Sequence, residues 1–106
     1  MTSTTKFCTV LVKGHSMWPT LSDGEEVECE LRAYDDAPPR VGDIVLCTHP
    51  LNSRVKVVKR VSEMTQNGKV LVEGDNPDPT ASTDSHAFGP VPMDLILGRI
   101  VTVADY

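Results

Sequence analysis

Proline and glycine divide this chain into short runs of β-branched residues, and this division constrains the fold more than any other feature. The 106-residue sequence contains 8 Pro and 7 Gly, and short β-branched runs between such breakers are typical of strands joined by turns. The predicted strands are residues 7–13, 27–31, 44–47, 55–62, 69–73 and 95–103. We therefore expect an all-β protein with a small, curled, barrel-like antiparallel sheet and a single domain over residues 1–106.

The charge balance and the cysteines argue against several classes of protein. The formal net charge is -5 at pH 7, which makes nucleic acid a poor partner. The three cysteines, Cys8, Cys29 and Cys47, form no C-x-x-C pair. An odd number without such a framework argues against a disulfide-stabilised secreted scaffold, so we expect reduced and mostly buried thiols.

The apolar run at residues 7–12 bears on the location of the protein. It is too short for the core of a signal peptide and far too short to span a bilayer. We therefore expect a soluble, cytoplasmic protein with no membrane span in this chain. A membrane anchor removed from the sequence stays open as an alternative.

The segment G-H-S-M-W-P-T-L at residues 14–21 predicts a shaped loop. Pro19 fixes its own φ and restricts the preceding residue, so a helix interior is disfavoured here. Such a loop presents the hydroxyl of Ser16 in one direction. A serine hydroxyl is a weak nucleophile until a neighbouring base accepts its proton. The histidines show no Ser-His-Asp pattern, and a Ser–Lys pair is a known variant of the same chemistry.

Alternation along residues 54–61 distinguishes two lysines. Side chains of a strand alternate between its faces, so Lys59 shares a face with three valines whereas Lys56 lies on the polar face. An amine on an apolar face loses hydration, which disfavours its charged form and favours a role as general base. The alternative is that the Lys59 side chain snorkels to an edge and keeps its ammonium in water.

Residues 74–91 form a long polar segment rich in Pro, Asp, Ser and Thr. A loop of this length in so small a domain is usually functional. The alternative is a polar surface loop with Asx-turns at Asp75 and Asn76.

Together these three stretches resemble the signal-peptidase family of serine proteases, which use a Ser–Lys dyad. The family pattern is G-x-S-M-x-P-T-L, an apolar strand that ends in K-R, and then G-D-N with S-x-D-S-R and G-x-V. The corresponding segments here are G-H-S-M-W-P-T-L (14–21), V-V-K-R-V (57–61) and G-D-N…S-T-D-S-H-A-F-G-P-V (74–91). V-G-D-I-V (41–45) is also similar to the family's connecting segment. Order and approximate spacing agree over most of the chain.

The resemblance implies catalytic roles for a few residues. Ser16 matches the nucleophile, and its backbone N–H matches an oxyanion donor. Lys59 matches the general base. Ser82 matches the serine that orients the lysine, with Thr80 as the fallback because this chain carries extra residues after Asn76.

The resemblance also implies a substrate cleft and a supporting shell. Met17 matches a residue that shapes the cleft, and Trp18 either borders the cleft or packs beside it. The structural support is assigned to Arg60, Asp75, Asn76, Asp84 and His86. His86 stands where the family usually has arginine, so an Asp–Arg pair becomes Asp84–His86, which weakens as the histidine loses its proton. Gly14 stands where some bacterial members have a serine that supplies a second oxyanion donor.

Within the family, the short chain and its ending D-L-I-L-G-R-I (94–100) after F-G-P-V-P look most like the maturation proteases of nickel-dependent superoxide dismutase. These proteases remove an N-terminal propeptide from the dismutase precursor. The resemblance therefore implies a protein substrate, no nucleic-acid partner, and no metal or cofactor in this chain, since the nickel belongs to the substrate.

Three other functions stay open at this point. A self-cleaving repressor-type or mutagenesis-protein-type domain uses the same Ser–Lys chemistry on its own chain. A small β-barrel binding module without catalysis would leave Ser16 as a turn residue and Lys59 as a snorkelled lysine. A nickel chaperone is disfavoured because the three histidines share no ligand spacing with the cysteines.

Overall fold

The computed structural model describes residues 6–78, 80 and 88–101, and its architecture is an antiparallel β-sheet. The strands are β1 (Lys6–Leu11), β2 (Glu26–Leu31), β3 (Ile44–His49), β4 (Asn52–Met64), β5 (Val70–Glu73) and β6 (Ile96–Val101). A short 3₁₀ helix, Met93–Leu95, precedes β6. The predicted all-β antiparallel fold is confirmed. The largest difference is β4, which begins three residues earlier than predicted and runs for 13 residues.

The six strands lie in the order β1-β2-β6-β3-β4-β5, so the sheet is open and has two edges. In the described part of the chain, β1 pairs with β2 alone, whereas β2 pairs with both β1 and β6. The edge strand β1 leads directly into the loop that carries Ser16. An edge strand offers unpaired backbone groups to an added strand.

Apolar side chains cover both faces of the sheet, and β3 shows why. All four residues from Ile44 to Cys47 are buried, because successive side chains of a strand point to opposite faces. One core cluster contains Val12, Met17, Leu21, Val27, Cys29, Ile44, Leu46 and Ile100. The other contains Val45, Cys47, Val61, Val70, Val72, Phe88 and Val91. Each fully buried side chain of this size contributes about 1.5–3 kcal/mol relative to exposure.

The three cysteines are free thiols, and Cys29 and Cys47 are buried, as the sequence predicted. Gly98 on β6 makes room for one of them. A Cβ at this position would lie 2.7 Å from the Cys29 Sγ and 2.5 Å from the Glu30 carbonyl oxygen.

Within the described residues, no helix has the length and apolarity that a bilayer span requires.

Candidate active site

Ser16 lies in a tight loop that follows β1, and the residues after it anchor the loop in the core. The side chains of Met17 and Leu21 are each only 1% exposed, and the Leu21 N–H donates to the Met17 carbonyl at 2.9 Å. The Trp18 N–H donates to the His15 carbonyl, and the Trp18-Pro19 peptide bond is cis. Ser16 itself is half-buried. The loop therefore has the fixed shape that its proline predicted.

The loop is tied to the G-D-N segment by Asn76. The Asn76 backbone N–H donates to the Ser16 carbonyl at 2.9 Å, and its Nδ2 donates to the His15 carbonyl at 2.7 Å. The Asn76 Oδ1 accepts the N–H of Asp78, which is the geometry of an Asx-turn. Asn76 therefore forms the expected Asx-turn. It also binds the carbonyls on either side of Ser16, that of His15 through its side chain and that of Ser16 through its backbone N–H.

Asp75 connects the serine loop with β4. Its carboxylate accepts hydrogen bonds from Arg60 Nε at 2.8 Å, from Arg60 Nη2 at 2.7 Å and from Thr20 Oγ1 at 2.6 Å. The hydrogen bonds from Arg60 hold the pKa of Asp75 below its usual value, and the bond from Thr20 adds to this effect. Arg60 also donates from Nη1 to the Gly42 carbonyl at 2.6 Å. Asp75 therefore ties the end of the serine loop, at Thr20, to the strand that carries Lys59.

Lys59 is buried, as the alternation along β4 predicted. It is 4% exposed and is the one charged residue in the buried part of the described chain, whereas Lys56 is exposed. A side chain this deeply buried is largely withdrawn from water, which favours the general-base interpretation over the snorkelling alternative. Lys59 pairs across the sheet with Val45. Its charge also acts on Cys47, whose pKa is raised by burial to about 11 in spite of an opposing effect of Lys59.

Ser16 and Lys59 line the same groove, which has a volume of about 570 Å³. One wall is formed by β1 and the residues that follow it, and the other by residues 56–59 of β4. Leu31, Leu46 and Leu97 also line the groove and give it an apolar floor. The sheet thus places two residues that are far apart in sequence along one groove.

The remaining predicted site residues fall into three groups. Met17 lines the groove, whereas Trp18 lies outside its lining and is 50% exposed, because the turn directs the two side chains differently. Thr80, the fallback for orienting the lysine, is exposed and donates its hydroxyl to Asp78. The predicted residues Ser82, Asp84 and His86 lie outside the described part of the chain.

Sequence reasoning missed Thr20 and did not pair Arg60 with Asp75. The position of Thr20 in the P-T-L end of the loop motif was the available signal. Its hydrogen bond to Asp75 joins residues 55 positions apart, so the sequence alone does not reveal it. Among the described residues, no three or more His, Cys, Asp or Glu side chains are placed to hold a metal ion.

Comparison with known proteins supports the resemblance drawn from the motifs. Residues 1–65 match the family described as signal peptidase, peptidase S26. The chain is 32% identical over 110 residues to the mitochondrial inner membrane protease subunit 1 of Xenopus tropicalis. It is 34% identical over 113 residues to the mitochondrial ATP-independent inner membrane protease subunit 1a of Arabidopsis thaliana. The human subunit 1 is 31% identical over 110 residues.

Each of these alignments covers 86% of this chain and 65% or 66% of the relative. The chain therefore spans just under two thirds of the length of the relatives that it matches. The matched part includes the serine loop and β4 up to and beyond Lys59. On the family match and these identities, the chain belongs to the signal peptidase family, peptidase S26.

Proposed function

We propose that this chain is a serine endopeptidase with Ser16 as nucleophile and Lys59 as general base. The observation that carries the proposal is the placement of a half-buried serine and a lysine that is only 4% exposed along one groove. Removal of an amine from water disfavours its ammonium form. A neutral amine beside a hydroxyl accepts its proton and converts a weak nucleophile into a strong one.

The proposed reaction is an acyl transfer in two steps. In the first, the Ser16 Oγ attacks the scissile carbonyl while the Lys59 Nζ accepts its proton, and the backbone N–H of Ser16 stabilises the oxyanion. The protonated Lys59 then donates to the leaving amine. In the second step, the same lysine accepts a proton from water, which attacks the acyl-enzyme and releases the second product. This chemistry requires no metal ion or cofactor.

The substrate we propose is an extended peptide that adds to the edge of β1 that no other described strand occupies. Main-chain hydrogen bonds to an edge strand supply affinity, and pockets for alternate side chains supply specificity. The groove between β1 and residues 56–59 has an apolar floor, which favours small or apolar side chains at the buried substrate positions.

We propose further that the reaction is the removal of an N-terminal propeptide in the cytoplasm. The precursor of a nickel-dependent superoxide dismutase is the first substrate to test, on the resemblance of residues 88–100 to the maturation proteases. The nickel belongs to the processed dismutase and not to this chain.

The test is incubation of the purified chain with the dismutase precursor, followed by mass measurement of the new amino terminus. We expect a single cleavage by the wild type and by Lys69→Met, which alters an exposed lysine outside the groove lining. We expect no cleavage by Ser16→Ala or Lys59→Met when circular dichroism shows that both are folded. Processing by Ser16→Ala at the wild-type rate would show that Ser16 is not the nucleophile.

A further inference from the structure

Two of the cysteines lie directly opposite each other on neighbouring strands. Cys8 on β1 pairs with Cys29 on β2 in the antiparallel register. Directly opposed residues in such a pair have Cα atoms about 4.5–5.5 Å apart, and disulfides form when this distance is about 4.4–6.8 Å. Both side chains point to the same face of the sheet, because directly opposed residues share a face. The Cα separation therefore lies within the range for a disulfide, although the Cβ atoms still have to approach each other by about 1 Å.

The surroundings of the two sulfurs differ, and the difference in exposure assigns the first oxidation step to Cys8. Cys29 is 0% exposed, whereas Cys8 is half-buried and lines the groove. The close approach of Gly98 closes one side of the Cys29 sulfur. The pKa of Cys29 is raised to about 12, mainly by burial and further by the charge of Cys8 and a hydrogen bond to it. The two thiols thus interact with each other, and only Cys8 is open to a reagent in the groove.

We propose that Cys8 and Cys29 form a reversible disulfide, and that this disulfide slows the peptidase. The oxidant is a hydroperoxide. The Cys8 thiolate attacks one peroxide oxygen, the O–O bond breaks, and Cys8 becomes a sulfenic acid while hydroxide leaves. The Cys29 sulfur then attacks the Cys8 sulfur, and the sulfenic oxygen leaves as water with the Cys29 proton. In sum, two thiols and hydrogen peroxide give one disulfide and two waters.

The disulfide should displace β1 because the bond is shorter than the gap it closes. Directly opposed Cβ atoms lie about 4.5–5.5 Å apart, whereas bonded cysteines have Cβ atoms about 3.8 Å apart. β2 is held by strands on both sides, but β1 is held only by β2 among the described strands. β1 therefore moves toward β2 and away from the opposite wall of the groove, and the Ser16 loop follows it.

A misplacement of about 1 Å at a reacting centre costs up to a hundredfold in rate. The effect on catalysis rests on the proposed peptidase function, whereas the formation of the disulfide does not. The two parts therefore need separate readouts.

The first experiment maps the bond and needs no substrate. The purified chain is treated with hydrogen peroxide, its free thiols are alkylated, and it is digested with trypsin without reduction. We expect residues 7–13 linked to residues 14–32 within one chain, and loss of this species on reduction. The link should be absent from Cys8→Ser and retained in Cys47→Ala, whose cysteine lies in the cluster on the other face. No linked peptide, or a link that involves Cys47 or a second chain, overturns the proposal.

The second experiment measures cleavage of the precursor before oxidation, after oxidation and after reduction with dithiothreitol. We expect oxidation to lower kcat/KM of the wild type about tenfold or more, and reduction to restore it. The ratio of oxidised to reduced rates should be unity in Cys8→Ser, whatever its basal rate. A loss of activity that reduction does not reverse and that persists in Cys8→Ser identifies oxidation elsewhere, such as at Met17. It contradicts the proposal that the disulfide slows the peptidase. If no form cleaves any precursor, the peptidase proposal fails while the mapped disulfide still stands.

Discussion

Asp75→Asn tests whether one carboxylate holds the serine loop to the lysine strand. The Asp75 side chain is 12% exposed and accepts two hydrogen bonds from Arg60 and one from Thr20. Asparagine keeps one acceptor oxygen, so one bond to the guanidinium is lost and the charge disappears. A hydrogen bond to a charged group contributes about 1.5–3 kcal/mol. Because Arg60 is 34% exposed, we expect the lower part of this range.

The expected loss of about 1.5–2 kcal/mol in the free energy of unfolding lowers the Tm of a domain of this size by about 6–16 °C. Urea unfolding and thermal unfolding both measure it. Glu30→Gln is the matched control, because its ion pair with Arg99 is more exposed, at 25% and 46%. Such a surface pair contributes about 0–1 kcal/mol. If Asp75→Asn costs no more than this control, the carboxylate does not anchor the site.

The acid dependence of stability provides a second readout for the same residue. The folded state lowers the pKa of Asp75, mainly through Arg60. Its contribution is therefore complete above the ordinary aspartate value of about 3.9 and disappears as the pH falls through the lower folded value. We expect the stability of the wild type to decrease more steeply than that of Asp75→Asn below this pH. Parallel curves would show that the Arg60 bonds do not stabilise the carboxylate.

Three further substitutions extend the account. Gly98→Ala should lower the free energy of unfolding, measured with urea, by about 1–3 kcal/mol, since its Cβ would clash with the Glu30 carbonyl. An unchanged urea midpoint would contradict the close packing at this position. Thr20→Val should lower the free energy of unfolding by about 0.5–1.5 kcal/mol and also slow cleavage, because it removes the hydrogen bond from the loop to the Asp75 carboxylate. Unaltered cleavage kinetics would exclude a role of Thr20 in positioning the loop. Lys59→Met should unfold at the same urea concentration as the wild type or a higher one, because an apolar side chain of similar length suits a site that is 4% exposed. A large loss of stability would show that the amine is structural.

The sequence predicted those features that depend on local pattern. Period-two alternation was sufficient to place Lys59 on a buried face and Lys56 in solvent. Proline chemistry was sufficient to predict a fixed loop around Ser16. The start of β4 was missed because Asn52 and its neighbours extend beyond the core, where burial no longer imposes an alternating pattern.

The features that the sequence did not predict depend on contacts between distant segments. The pairing of Arg60 with Asp75 spans 15 positions, and the bond from Thr20 to Asp75 spans 55. The opposition of Cys8 and Cys29 depends on the register of β1 and β2. A register shift of one residue moves every side chain to the other face, so composition alone does not reveal such a pair.

The dyad itself is tested most directly by labelling with a fluorophosphonate serine probe, which needs no substrate. Intact mass and tryptic mapping report the number and position of the adducts. We predict one adduct on Ser16, within residues 14–32, in the wild type and in Lys69→Met, and none in folded Lys59→Met. Labelling of Lys59→Met at the wild-type rate, or an adduct on another residue, would contradict the assignment of Lys59 as the base that activates Ser16.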